Sequence, residues 1–263
     1  MSKLTGERPV EGVTPDSLLA LHEAGYRAVS ARLGPGWVLD IGCGDGFESA
    51  SFLAPDRSVL GIDYSVSVAQ DASRRWSEKG LRVAGMDALR LGIRDASMDW
   101  VCSSHVVEHF ERPEDHVREV GRILADSGTA FFLTPNRPFD FENPFHLVQF
   151  ERDDLSALLG DHFANVHVFG MGATPRVHED FAARRAKAEK LLRLDFLDLR
   201  HRMPRSWYIG FYTRVLPVAY RLLAKSDTSG ATGITADDFF ISDDTSDAAL
   251  VLLGVVSSPF RGS

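Results

Sequence analysis

The sequence predicts an α/β fold built on a doubly wound, mostly parallel sheet. Three observations carry this. The apolar run Val38-Leu39-Asp40-Ile41-Gly42-Cys43-Gly44-Asp45-Gly46 breaks into glycines at alternate positions, as a buried strand feeding a tight turn would. A second apolar run, Val59-Leu60-Gly61-Ile62-Asp63, ends in a carboxylate. Strand-length apolar runs then alternate with helix-patterned stretches, the signature of βαβ units.

With 263 residues the chain is long enough for one α/β domain and a small insertion. A net charge of -8 argues against general attraction to nucleic acid or anionic membrane, although local basic patches can override the sum. No apolar run approaches the roughly 18 residues of a membrane span, and the first residues lack a signal-peptide stretch, so a soluble, cytoplasmic protein is expected. Cys43 and Cys102 have no spacing that suggests zinc or a disulfide framework, and read as small buried fillers.

Along the chain, Thr14-Pro15-Asp16 supplies a cap, a first-turn proline and an early acid for a helix with Leu18, Leu21, His22, Gly25 and Val29 on one face. After the glycine turn, 45–53 reads as a helix, 58–63 as the second strand, and Ser65 as the cap of a helix ending at Gly80. Residues 81–87 form a third predicted strand and 97–104 a fourth. Arg112-Pro113 opens a helix with Val117, Val120, Ile123 and Leu124 inward, and 128–133 is the fifth strand. A short helix over 151–159 and strands over 165–171 and 248–256 complete the core. Between the last two strands, 181–202 and 207–223 read as helices and 226–235 as a Gly/Ser/Thr linker; the acids at 237, 238, 243 and 244 read as a solvated loop.

Glycines let main chain approach a ligand closely and adopt φ > 0. A carboxylate at a second strand end can accept both ribose hydroxyls, in a nicotinamide enzyme or in one that binds S-adenosylmethionine (SAM). Phe47 stands where the third glycine of a dinucleotide fingerprint would fall. Here the sequence resembles the class I SAM-dependent methyltransferases, whose first motif reads much like residues 39–46, and the likeness extends over about 37–168. The resemblance implies SAM as cofactor, held by Asp40, Gly42, Gly44, Asp63, Tyr64, Asp87, Ala88 and Ser104. In such enzymes an acid at the position of Asp87 often contacts the adenine amino group and the next backbone N–H the ring; the plainer reading of Asp87 is a turn residue. A Rossmann-like sheet of seven strands in the order 3-2-1-4-5-7-6 is also implied, with a helical insertion before the last strand. The expected division is 1–36 as an N-terminal segment and helix, 37–171 with 247–263 as the SAM-binding core, and 172–246 as a helical lid, substrate platform or dimer surface.

After the fourth predicted strand, His105, Glu108 and His109 fall at i, i+3 and i+4, and would project to one side if this stretch is helical. His146 follows the fifth strand and leaves the same sheet edge. Such a cluster suits a divalent metal, Mg²⁺ through oxygens or Mn²⁺ more readily through imidazole. Its alternatives are a metal-free general base at one of these histidines, or a loop-packing role. The resemblance extends to methyltransferases with a Glu-His pair and a later His, so Glu108, His109 and His146 are the expected catalytic residues and, with His105, the expected metal ligands.

Thr134-Pro135-Asn136-Arg137 followed by Asn143-Pro144-Phe145-His146 resembles bacterial sugar and polysaccharide O-methyltransferases. Residues 4–8 and 234–239 are similar to enzymes proposed to methylate the methylmannose or methylglucose polysaccharides of actinobacteria. The expected acceptor is therefore a hydroxyl of a sugar or oligosaccharide, with a homodimer as an expected assembly; the alternatives are a natural-product or quinone-like phenol, and a SAM-binding subunit without turnover. Arg184, Arg185, Lys187, Lys190, Arg193, Arg200, Arg202 and Arg205 read as a solvated helix face or as a receiver for a phosphorylated or nucleic acid substrate.

Overall fold

The computed structural model describes residues 14–140, 145–192, 233–243 and 248–261. Eight strands form one sheet: β1 (Gly36–Ile41), β2 (Arg57–Asp63), β3 (Arg82–Gly85), β4 (Met98–Ser104), β5 (Leu124–Pro135), β6 (Phe163–Ala173), β7 (Phe239–Ser242) and β8 (Val251–Pro259). Their order is β3-β2-β1-β4-β5-β8-β6-β7. Pairings from β3 through β5 are parallel, whereas β8 runs antiparallel to both β5 and β6. The expected doubly wound order is present, with β8 as the inserted last strand and β7 as an added edge.

Central strands are apolar on both faces because helices cover both sides. Val38, Leu39 and Ile41 of β1 and Val101 and Cys102 of β4 are at most 1% exposed. The helices are α1 (Asp16–Ser30), α2 (Val66–Trp76), α3 (Pro113–Ile123), α4 (Arg152–Gly160) and α5 (Pro175–Leu192). In α3 the buried residues Val117, Val120 and Ile123 recur at helical spacing, and Pro113 stands in the first turn where a missing N–H costs nothing. No described helix is long and apolar enough to cross a membrane.

Four elements differ from expectation. Residues 45–53 form only a 3-10 turn at Ser49–Phe52. The Ser51 hydroxyl there donates to the Glu48 carbonyl at 2.6 Å, and Ser49 turns its hydroxyl to Asp40, so local bonds compete with a regular helix. The predicted third strand stops at Gly85, before Asp87. The helix expected from 181 starts at Pro175, behind Thr174, the same start signal as Thr14-Pro15. Instead of a solvated loop, residues 236–238 make a 3-10 turn leading into β7. Asp238 is 7% exposed there and accepts hydrogen bonds from Arg176 and Thr174.

The chain forms two compact units. One comprises Glu23–Asp140, His146–Gly172 and Ile241–Ser263 and holds every expected cofactor, catalytic and metal residue. The other comprises Met1–His22, Phe141–Phe145 and Ala173–Phe240. Within this second unit, Ser17 donates to Asp180 at 2.6 Å and accepts from Arg184 at 2.9 Å, and the Arg184 guanidinium lies over the Phe181 ring. Arg184 is thus engaged, while Arg185 is exposed. The N-terminal motif at 4–8, Asn143, the helix predicted at 207–223, the linker over 226–232, Asp244, Arg193, Arg200, Arg202, Arg205 and the side chains of Lys187 and Lys190 lie outside the described residues.

Candidate functional site

The strand order reverses between β1 and β4, which opens a crevice at their carboxyl ends. Gly42, Gly44 and Gly46 there have φ of 78°, 55° and 80°. A Cβ on Gly42 would stand 2.7 Å from Val106 Cγ2, so a side chain there would displace Val106 as well as strain the backbone. Asp63, at the end of β2, accepts the Gly44 amide at 3.2 Å with one oxygen and the Ser65 amide at 2.8 Å with the other. One carboxylate thus fixes the glycine turn and the entry to α2, and as an acceptor of several bonds it suits a diol. Next in sequence, Tyr64 is 73% exposed.

Asp40 lies in a different setting. It is fully buried and accepts hydrogen bonds from the Tyr26 hydroxyl, at 3.1 Å, and from Ser49. Its carboxylate therefore ties α1 and the turn at 49 to β1. Burial pushes its carboxyl up to about 7, against the pull of the two hydroxyl donors. Tyr26 follows His22 by four on the predicted apolar face of α1, yet sequence reasoning missed it because a helical aromatic reads as packing.

Beyond β3, the Met86 amide donates to the Asp63 carbonyl at 3.0 Å, setting the Asp87-Ala88 turn beside Asp63. Asp87 uses one oxygen to accept the Leu89 amide at 2.9 Å, the turn role weighed above.

Strand β4 delivers the histidine and glutamate cluster. His105 takes φ of 55°, a left-handed conformation uncommon outside glycine, and its amide donates to the Leu133 carbonyl at 2.8 Å. A 3-10 turn at Val107–His109 follows. The Glu108 carbonyl accepts the amides of Leu147, at 2.7 Å, and Val148, at 3.2 Å, and so seats the later segment against the turn. His146 is thereby brought to His109, with ring centroids 5.0 Å apart and planes at 77°. One ligand atom from each of Glu108, His109 and His146 lies within 4.8 Å of the others. His105 stands beside this trio, with Nδ1 3.4 Å from Glu108 Oε1.

Glu108 is 1% exposed. Its Oε2 accepts from Thr134 at 3.2 Å, whereas buried Oε1 has only the His105 ion-pair contact at 3.4 Å, which falls outside hydrogen-bond geometry. Burial alone would raise its carboxyl; His105, His109 and His146 outweigh that and hold it at about 2. Asp140 Oδ1 lies 2.6 Å from His146 Nδ1, so that Nε2 is the nitrogen the ring would offer to a ligand. A carboxylate behind a histidine is the usual arrangement around a metal-binding imidazole. Two imidazoles and one carboxylate with an unsatisfied oxygen fit a divalent cation, Mn²⁺ more readily than Mg²⁺. Ser104 Oγ, also buried, makes no hydrogen bond. Thr134 and Asp140 escaped sequence reasoning: neither has a spacing to its partner that a local pattern records.

Comparison with known proteins bears on the domain that carries these residues. Residues 39–132 match the family model described as a methyltransferase domain. A probable S-adenosylmethionine-dependent methyltransferase of Mycobacterium tuberculosis is 30% identical over 185 residues, 67% of this chain and 66% of that protein. The chain thus spans just under two thirds of that relative's length. The ubiquinone biosynthesis O-methyltransferase of Azoarcus sp. is 32% identical over 106 residues, 39% of this chain and 45% of that protein. A solved SAM-dependent methyltransferase of Thermotoga maritima, described as a possible histamine N-methyltransferase, shares the fold with a TM-score of 0.58 at 15% identity, over 91% of this chain and 90% of that one. Residues 39–132 thus match a methyltransferase domain, and over two thirds of its length the chain is similar to SAM-dependent methyltransferases.

Proposed function

We propose that this protein transfers the methyl group of SAM to a hydroxyl of a sugar or oligosaccharide. The observation that supports oxygen as the nucleophile is the convergence of Glu108, His109 and His146 at the carboxyl end of β4, beside the glycine turn. The sulfonium already activates its methyl, so the protein must hold the nucleophile in line and remove its proton. The hydroxyl gives up its proton to solvent water, oxygen attacks the methyl carbon, the carbon–sulfur bond breaks, and S-adenosylhomocysteine (SAH) leaves with the sulfur electron pair. Glu108, His109 and His146 would hold a divalent cation, which when bound lowers the pKa of an acceptor hydroxyl. Asp140 holds His146 in the tautomer that presents Nε2, and Thr134 fixes Glu108. An amine acceptor has less need of such a cluster. The sugar assignment rests on the motifs at 134–137 and 143–146.

A second reading, methylation of a phenol, is favoured by likeness to the Azoarcus O-methyltransferase. Incubation with methyl-labelled SAM and panels of glycans, phenols and RNA, with and without chelator, separates these readings. Label in glycan hydroxyls is expected; label confined to phenols or RNA would overturn the glycan assignment.

A further inference from the structure

One face of α3 carries His116, Glu119 and Arg122 at intervals of three, and all three side chains turn to the stretch after β3. Glu119 accepts the Leu91 amide at 2.6 Å, and Arg122 donates to the carbonyls of Leu91 and Ile93 at 2.9 and 2.8 Å. His116 meets the first part of this stretch: its Nδ1 lies 3.1 Å from the Ala88 carbonyl, and its Nε2 lies 2.9 Å from Ser103 Oγ on β4. The ring is 0% exposed and packed between Phe110 and Phe132.

Its tautomer follows from its partners. A carbonyl only accepts, so Nδ1 carries the hydrogen. Burial holds the ring neutral, pulling its pKa down to about 4. Nε2 is then an acceptor and the Ser103 hydroxyl donates to it. Such a buried, fully paired imidazole is costly to place in an apolar layer unless both bonds are made. It bridges two segments of the ligand edge: the Asp87-Ala88 turn, set beside Asp63 by the Met86 amide, and the β4 end that leads into Ser104 and His105.

We infer that His116 is a positioning residue for the cofactor: through its bond to the Ala88 carbonyl it holds the Asp87-Ala88 turn in the place where the adenine end of SAM is received. This rests on the cofactor reading of that edge. Packing alone would be served by any apolar side chain of similar volume; the inference requires the Nδ1 donor specifically.

Full-length wild type, H116N, H116Q and H116L are titrated with SAH by calorimetry, at a temperature where thermal melts show each variant folded. Asparagine places an amide nitrogen near the Nδ1 position and keeps the bond to Ala88, whereas glutamine reaches toward Ser103 and leucine offers no donor. H116N is expected to bind within about threefold of wild type, and H116Q and H116L about tenfold or more weakly, the loss of one buried hydrogen bond. Wild-type affinity in H116Q or H116L overturns the inference, as does equal weakening of H116N and H116Q. Should H116L not fold, the asparagine and glutamine pair decides alone. Failure of wild type to bind SAH overturns the cofactor reading itself and this inference with it, an outcome separate from equal binding by all variants.

Discussion

Asp140 Oδ1 lies 2.6 Å from His146 Nδ1, and the two side chains are only 3% and 12% exposed. Burial alone would lower the imidazole pKa, but the carboxylate raises it above the ordinary value. The pair fixes which nitrogen His146 offers to the cluster. D140N removes that control while nearly preserving shape, and is expected to cost about 10- to 100-fold in methyl transfer. Unchanged turnover in D140N would show that the orientation of His146 does not matter.

Removing metal tests the donor set. Chelation is expected to abolish transfer, with Mn²⁺ restoring it more fully than Mg²⁺ because two of the three donors are imidazoles. H146A should need more added metal for the same rate, and E108A should not be rescued. Full activity after exhaustive dialysis against chelator would remove the metal from the account and leave a histidine base.

The glycine turn makes a sharper steric prediction. G42A places a Cβ 2.7 Å from Val106 Cγ2 and forces alanine into φ of 78°. The left-handed conformation alone costs about 1–2 kcal/mol, and the clash adds to it. Denaturant unfolding should show a loss of at least this size, together with weakened SAH binding.

Stability should also depend on pH through His116. Burial lowers its pKa from 6.5 to about 4, against the Ala88 carbonyl, Glu108 and Glu119, which pull it up. Between these values the unfolded chain binds a proton that the folded protein refuses, so this contribution falls as pH falls from about 6.5 to 4, by up to about 3 kcal/mol. H116N should be flatter over the same window in urea melts at pH 7 and pH 5. Parallel slopes for the two proteins would contradict the buried neutral imidazole.

Much of the core was legible because its signals are local. Alternation of apolar runs with helical periodicity located β1, β2, β4, α3 and β5, and the Asp40, glycine and Asp63 pattern pointed to the cofactor edge. Features decided by distant partners were not legible. Whether 45–53 becomes a helix depends on Ser49 finding Asp40, and β7 is four residues among acids, one of which, Asp238, is held by Arg176 from another element. Likewise Glu108, His109 and His146 were visible as residue types, but Thr134 and Asp140, which orient them, lie 26 and 6 positions from their partners.

Calorimetric titration of the full chain with SAH, comparing wild type with D63A, tests the central claim most directly. Asp63 holds the Gly44 amide and is the expected acceptor for the ribose hydroxyls. Saturable binding by wild type, weakened about ten- to a hundredfold in D63A, is the predicted result. No binding by wild type, or equal affinity in D63A, would contradict it.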